Sequence, residues 1–392
     1  MKNKFKVISI VLFVSVILVF VSCGKKKTDW KSKIEVVDGV KVVHNFQPEQ
    51  NEAFKPIEFV EDLSIGGEEV DENYIFIRPI DIDSDSSGNI YVLDYRDCSI
   101  KKYDAQGKHI KNIGRRGQGP GEFQMPLFLQ ISQHNKIYTG DILSRRIEMF
   151  SVNGDYLKTL KMEEPVEHIS ISQNDEFVAG IRYSIEEENK EREYIYKVCK
   201  VDSQMNKIFE IYIQKQPKFG QISDGEFSLN YHWFVKCDIN SKNNIYVATA
   251  NKYEINVFSS EGSLLFKFDL DFKPIPVTGE AQRKVMEILD KLKGMLDVQK
   301  TSKHLEFYPV FRTISIDEKD RIWVEHYKPY WRDKPRKKTF FNVFSSKGKF
   351  LFTTKIDKVI FPKLIFKNGY VYVLTRDESG FTKALRLRMV EN

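Results

Sequence analysis

Apolar and polar residues alternate along this chain in short bursts separated by tight turns, a pattern of strands rather than helices. The fullest burst is Asp85-Ser86-Ser87-Gly88-Asn89-Ile90-Tyr91-Val92-Leu93-Asp94, a polar turn running into a β-branched and aromatic strand. Weaker copies are His134-Asn135-Lys136-Ile137-Tyr138-Thr139, Asn174-Asp175-Glu176-Phe177-Val178-Ala179 and Asn243-Asn244-Ile245-Tyr246-Val247. Asp320-Arg321-Ile322-Trp323-Val324 and Asn368-Gly369-Tyr370-Val371-Tyr372-Val373 complete the set. The anchors Ile90, Ile137, Phe177, Ile245, Ile322 and Val371 are spaced by 47, 40, 68, 77 and 49 residues. Steps of about 40–50 residues are those of propeller blades. The two longer steps imply insertions, and six copies predict six blades.

A second phrase follows most anchors: a strand, then a turn closed by Gly, as in Ile100 to Gly107, Ile147 to Gly154, Ile255 to Gly262 and Phe341 to Gly348. Another strand follows it, and an apolar strand precedes each anchor. The reading is all-β, a six-bladed β-propeller of four-stranded antiparallel blades. The inner strands fall at Arg78–Asp83, Leu127–Ser132, Glu167–Ser172, Phe234–Ile239, Val310–Asp317 and Phe361–Phe366. After the sixth anchor only one strand remains, Ala384 to Met389, while an orphan strand, Ile57 to Leu63, lies ahead of blade one. Pairing the two closes the ring and removes an exposed edge. One stretch departs from the strand pattern. Within the insertion at about 271–309, Val285, Ile288, Leu289, Leu292, Met295 and Leu296 fall on one stripe and predict a helix from Thr278 to about Gln299. Packing of that stripe on the propeller rim is preferred to a lid or docking helix.

The N-terminus reads as an address. Lys2, Lys4 and Lys6 precede an apolar run from Val7 to Val21, which ends at Phe20-Val21-Ser22-Cys23-Gly24 before Lys25-Lys26-Lys27. This resembles a lipobox with Phe20 in place of the usual Leu, and the resemblance implies lipidation of Cys23. An uncleaved anchor helix is the alternative, and both place the remainder outside the cytoplasmic membrane. The division is then a signal peptide at 1–22, a tether with a hairpin-like segment at 23–54, and the propeller at 55–392.

Composition narrows the picture. The chain of 392 residues is 41% hydrophobic, which excludes a disordered tail protein. Its 29 Phe and 18 Tyr favour strands. The formal charge of +6 falls to +3 once the three signal-peptide lysines are removed, too little for a nucleic-acid footprint. Cys98, Cys199 and Cys237 have no C-x-x-C spacing; they read as buried thiols, with one disulfide left open.

The repeat, together with Gly114-Arg115-Arg116-Gly117-Gln118-Gly119-Pro120-Gly121-Glu122-Phe123 and the hairpin-like Val36 to Asn45, resembles the six-bladed β-propeller lipoproteins of Bacteroidetes, relatives of NHL-repeat proteins. That resemblance implies fold and an outer-membrane lipoprotein, periplasmic or surface-exposed, far more than it implies activity.

Strand alternation sorts the loops. Turns within a blade between strands one and two, and three and four, are tight and share one face. Gly114–Pro126, Ser184–Glu193, Gln214–Tyr231, Asp271–Pro309 and Glu325–Lys338 all open on the other, and long loops on a rigid scaffold commonly carry function. On that face Tyr95, Arg96, Arg115, Arg116, Arg145 and Arg146 could hold a carboxylate, sulfate or uronic acid. Equally, the arginines could pair with Asp94, Asp97, Glu122 and Asp141 and tie blades together. His232, Trp233, Tyr330 and Trp331 join them as ligand-binding candidates, since aromatic faces beside polar groups suit sugars or protein partners. The Gly-rich loop lacks a strand–loop–helix setting and reads as a turn, not a phosphate cradle.

The inner strands present no recurring carboxylate or amide, and no H-E-x-x-H, G-x-S-x-G or S-x-x-K motif occurs. The preferred reading is a membrane-tethered monomer, without cofactor or metal, that binds a glycan or protein partner through its long-loop face. The first alternative is a hydrolase or lyase with a metal or a site built from His232, His304 and His326 at the channel mouth. The second is a structural subunit of an envelope complex.

Overall fold

A computed structural model describes residues 31–49, 57–67, 71–172, 175–185, 193–217, 221–223, 226–228, 235–249, 252–276, 279, 308–326 and 337–391. Apart from a 3-10 turn at Glu72–Tyr74, every named element is a strand. The chain is an all-β six-bladed propeller. Blade one runs Pro79–Ser84, Ile90–Asp94, Ser99–Tyr103 and His109–Ile113, each strand antiparallel to the last. The other inner strands are Pro126–Ile131, Val166–Ile171, Val235–Ile239, Phe311–Ile316 and Ile360–Lys367, within a residue or two of the expected positions. Consecutive inner strands touch around the full circle, and the sixth touches the first.

The ring closes as the strand count requires. Glu58–Gly66 is the outer strand of blade six, antiparallel to Thr382–Val390. Arg386 clasps this junction: its Nε lies 2.6 Å from Asp62 Oδ2 and one Nη donates to the Ala105 carbonyl at 2.8 Å. The first and last strands of the ring thus share one sheet, and no blade is left three-stranded.

Two features enlarge the blades. Residues Ser32–Val37 and Val40–Asn45 form a hairpin whose second strand pairs in parallel with Leu264–Leu270, so blade four has six strands. Asn45 pins the hairpin to blade five, donating to Gly348 O at 2.9 Å and accepting from Phe350 N at 2.9 Å. The long step between the third and fourth anchors is filled in part by strands of 9, 9 and 11 residues in blade three. The helix expected from Thr278 to Gln299 lies outside the described residues, apart from Gly279.

The physical basis of the repeat is now plain. Most of the tight turns begin with an Asp, Asn or Ser whose side-chain oxygen accepts the amides two and four residues on, or the second alone. Asp85 holds Ser87 N and Asn89 N, Asn240 holds Lys242 N and Asn244 N, and Asp317 holds Lys319 N and Arg321 N. These are Asx turns, which satisfy amides that the hairpin cannot. The free carboxylate oxygen then takes a buried aromatic donor six residues on: Tyr91 OH to Asp85 and Trp323 Nε1 to Asp317, both at 2.8 Å. Apolar side chains fill six clusters, one at each blade–blade junction, as in Tyr91, Ile100, Leu129 and Ile137 between blades one and two.

Packing near the axis is tight enough to dictate glycine. His168 lies against Gly180, where an added Cβ would sit 2.0 Å from the ring. Gly180→Ala is therefore expected to destabilise the fold by about 1–3 kcal/mol through overpacking. Urea denaturation should show the loss, and trimming the ring in a His168→Ala/Gly180→Ala double variant should recover part of it. An unchanged midpoint in the single variant would overturn this account of the packing.

Candidate functional site

Inner strands have no sheet partner on their channel side, so their amides need other acceptors. Blade one supplies two for blade two: Asp81 accepts from Leu129 N at 2.8 Å and Asp83 from Ile131 N at 2.7 Å. Asp238, in the position of Asp83, does the same for Ile316 N at 3.1 Å. From blade six, Lys367 Nζ reaches Asp83 at 2.6 Å and the Ile131 carbonyl at 2.7 Å. Asp83, Asp238 and Lys367 line a polar cavity of about 590 Å³ on the tight-turn face, which also contains Asp85, Asn240, Asp317 and Lys363. Its polar atoms are largely engaged with the backbone. The position shared by Asp83 and Asp238, seven residues before Ile90 and Ile245, was missed in the sequence because the other four inner strands carry Gln130, Ser170, Ser315 and Leu364 there; the beta-bulges found in most inner strands do not displace it.

Those bulges matter at the other mouth. Five inner strands begin with one, at Pro79/Asp81, Pro126/Phe128, Val166/His168, Phe311/Ile314 and Phe361/Ile365. Bulges re-aim side chains at barrel rims, and here they accompany a cationic pocket. Arg78, Lys236, Arg312 and Arg376, from blades one, four, five and six, line a cavity of about 320 Å³ with Phe361 and Pro362.

Each cation is held differently. Asp94, buried at the end of its strand, accepts from Ile77 N at 2.7 Å, Arg78 N at 3.1 Å and Arg96 N at 3.0 Å, fixing the backbone that carries Arg78. The Arg78 guanidinium lies 4.9 Å from the Tyr95 ring centre, and that of Arg376 lies 5.7 Å from the Phe361 ring. Among the described residues neither has a carboxylate within ion-pair reach. Arg312 lies 3.6 Å from buried Glu325. Loss of water pushes the Lys236 ammonium down to about 8, with Glu167 opposing and Lys363 and Arg312 reinforcing the shift. Glu167, itself raised by burial, pairs with Arg182. Among the described residues, the acids that act on these four cations at the mouth are Glu167 and Glu325, so the cations outnumber them there.

The expected arginine cluster is placed on the long-loop face but is engaged internally. Arg115 pairs with Glu122 at 2.9 Å, and Arg116 donates to the Arg96 carbonyl at 2.7 Å. Arg146 pairs with buried Glu148 at 2.7 Å and donates to the carbonyls of Gln118 and Glu122 at 2.7 Å. Asp94 and Asp141 cap backbone amides instead of pairing with the arginines. Arg145 is exposed and occupies a left-handed turn position, φ 49°. The glycines close the loop on itself: a Cβ on Gly114 would meet Phe123 at 2.2 Å. Of the sequence candidates, Tyr95 touches the cationic mouth through Arg78. Cys23, His232, Trp233, His304, Tyr330 and Trp331 lie outside the described residues. His326, at the end of a strand in blade five, packs near Phe340 with ring centres 6.4 Å apart.

Cys98, Cys199 and Cys237 are free and buried. His168 Nε2 lies 3.1 Å from Cys237 Sγ, but burial lowers the imidazole to about 3 and raises the thiol to about 12. A neutral pair of this kind packs rather than attacks. Among the described residues no three His, Cys, Asp or Glu side chains converge to hold a metal, and no helix is long and apolar enough to cross a membrane.

Comparisons with known proteins agree on architecture. Residues 71–259 match the DUF5128 family model, described as a 6-bladed beta-propeller. No curated protein matches the chain. Among solved structures, a Bacteroides fragilis protein described as exported is 10% identical, covering 89% of this chain and 99% of its own, with a TM-score of 0.51. A DUF4221-family member from Bacteroides vulgatus is also 10% identical, covering 86% and 99%, with a TM-score of 0.53. At such identities the likeness is one of fold.

Asp81 offers a test of the channel. Desolvation raises its carboxyl to about 7 from 3.8. Between those values the folded chain holds a proton that the unfolded chain has lost, so this group's contribution to stability falls as pH rises from about 4 to about 7 and is flat above. Urea denaturation across that range should show Asp81→Asn gaining on the wild type as pH rises. A constant difference would show that Asp81 is ionised throughout.

Proposed function

We propose that this protein is an extracytoplasmic binding protein, anchored to the outer membrane by a lipid on Cys23, whose long-loop channel mouth takes an anionic ligand. A glycan carrying carboxylate or sulfate is the class that the pocket suits best. The observation that carries this reading is the convergence of Arg78, Lys236, Arg312 and Arg376 from four different blades on one cavity. Cations brought together from positions so distant in sequence are held against mutual repulsion. In a closed fold that arrangement favours an anion. Guanidinium groups match carboxylate and sulfate through paired donors, while Phe361, Pro362 and Tyr95 provide apolar surface for a sugar ring. The description of one structural relative as an exported protein, together with the signal-like N-terminus, supports the location.

Arg78 and Arg376 are the cleanest residues to change, because neither removal strands a buried acid. The Arg78→Ala/Arg376→Ala double variant should weaken binding of a carboxylated or sulfated oligosaccharide by about tenfold or more. Calorimetry on the full-length protein would measure it, and affinity should fall with added salt. An Arg115→Ala/Arg145→Ala variant should bind nearly as the wild type does. The opposite ranking would move the site to the arginine loop.

Anchoring is tested separately. Growth with a labelled fatty acid should label the wild-type chain and not Cys23→Ser, and protease treatment of intact cells would then distinguish surface from periplasm. Equal labelling of both would refute the lipid at Cys23.

A further inference from the structure

One cation in the mouth differs in kind from its neighbours. Arginine holds an anion but forms no bond to it, whereas lysine also carries an amine that becomes a nucleophile when unprotonated. Lys236 is half-buried on the inner strand of blade four, lining a cavity that reaches solvent. The guanidiniums of Arg78, Arg312 and Arg376 line the same cavity from three other blades. Among the described residues the acid that acts most on it is Glu167 on the inner strand of blade three; Lys363, also in the channel, lies on the tight-turn side, 3.9 Å from Asp238.

We propose that Lys236 forms an imine with a 2-oxo carboxylic acid, a class that includes the 2-oxo sugar acids, whose carboxylate is held by the surrounding arginines. This inference rests on the anion-binding reading of the same pocket and adds a covalent step to it. The chemistry balances without a cofactor. The Lys236 amine adds its lone pair to the carbonyl carbon, and the carbonyl oxygen takes up a proton to give a carbinolamine. That intermediate loses the oxygen as water, leaving a carbon–nitrogen double bond. The overall change is amine plus ketone to imine plus water. Protons for the two stages are exchanged with solvent, which the cavity admits.

Several features favour the step. Burial makes Lys236 more acidic than an exposed lysine, so a usable fraction is unprotonated near neutral pH. Guanidiniums around the amine neutralise the carboxylate next to the carbonyl, which raises its local concentration and its electrophilicity. Burial acts on Lys363 in the same sense, but Asp238 and Asp81 outweigh it and shift that lysine upward, so Lys236 and Lys363 differ in reactivity.

The test is reductive trapping on the full-length protein. Pyruvate or 2-oxoglutarate is added with borohydride, and the modified peptide is mapped by mass spectrometry. The expected result is a single reduced adduct on Lys236, lost in Lys236→Arg and diminished about tenfold at low ligand concentration in Arg78→Ala/Arg376→Ala. Calorimetry with lactate and succinate, which lack a reactive carbonyl, reads anion binding by itself. Binding of these acids without an adduct on Lys236, or with adducts spread evenly over surface lysines, would overturn the imine and leave the anion site standing. Absence of both binding and adduct would overturn both. Mapping on the wild type keeps the result interpretable if Lys236→Arg folds poorly.

Discussion

The structure depends on how it satisfies the unpaired inner edges of its six blades. Each innermost strand faces the axis without a sheet neighbour, and a buried amide left without a partner costs about 1–3 kcal/mol. Carboxylates reaching from one blade to the next, Asp81 and Asp83 to blade two and Asp238 to blade five, meet that demand. Together with bonds such as Lys367 to the Ile131 carbonyl and Arg386 to the Ala105 carbonyl, they add directional links between blades to the apolar packing at each junction. They also commit the acids on the tight-turn side of the channel to structural work. At the opposite mouth Arg312 faces Glu325, while Arg78 and Arg376 lie over the rings of Tyr95 and Phe361.

Much of the fold was legible in sequence because the repeat is a local physical unit. An Asx turn capped by its own first residue, followed by a buried aromatic donor six residues on, leaves a signature within about ten positions. Asp85 with Tyr91 and Asp317 with Trp323 join the two halves of the signature by a hydrogen bond. Ring closure was legible from strand arithmetic, since a three-stranded last blade would leave an edge open. The addition of Ser32–Asn45 to blade four was not, because parallel pairing with a strand more than two hundred residues away carries no local mark.

The candidate site was only faintly legible, for a related reason. Arg115, Arg116, Arg145 and Arg146 stand out as a motif because they are close in sequence, and closeness of that kind is what a loop needs to hold itself together. The guanidiniums of Arg115, Arg116 and Arg146 are occupied by Glu122, Glu148 and nearby carbonyls, while Arg145 is exposed. Arg78, Lys236, Arg312 and Arg376 are each more than sixty residues from the next. Only the circular arrangement of blades, with a bulge at the start of most inner strands, brings them together. Among the sequence candidates that are described, Tyr95 reaches that pocket through Arg78, and it was singled out for its neighbours in sequence rather than for Arg78.

The hairpin on blade four sets how the molecule answers to a pull at its N-terminal side. Ser32 pairs with Asn45 at the open end of the hairpin, with the turn at the far end. Tension applied at Ser32 therefore opens the pairs one after another, as a zipper, and then acts on the strand laid along Leu264–Leu270. The closing strand Glu58–Gly66 lies farther along the chain and bears no load until both have yielded. The hairpin acts as a mechanical fuse: the ring is spared at the expense of two strands that can anneal again when the force is gone.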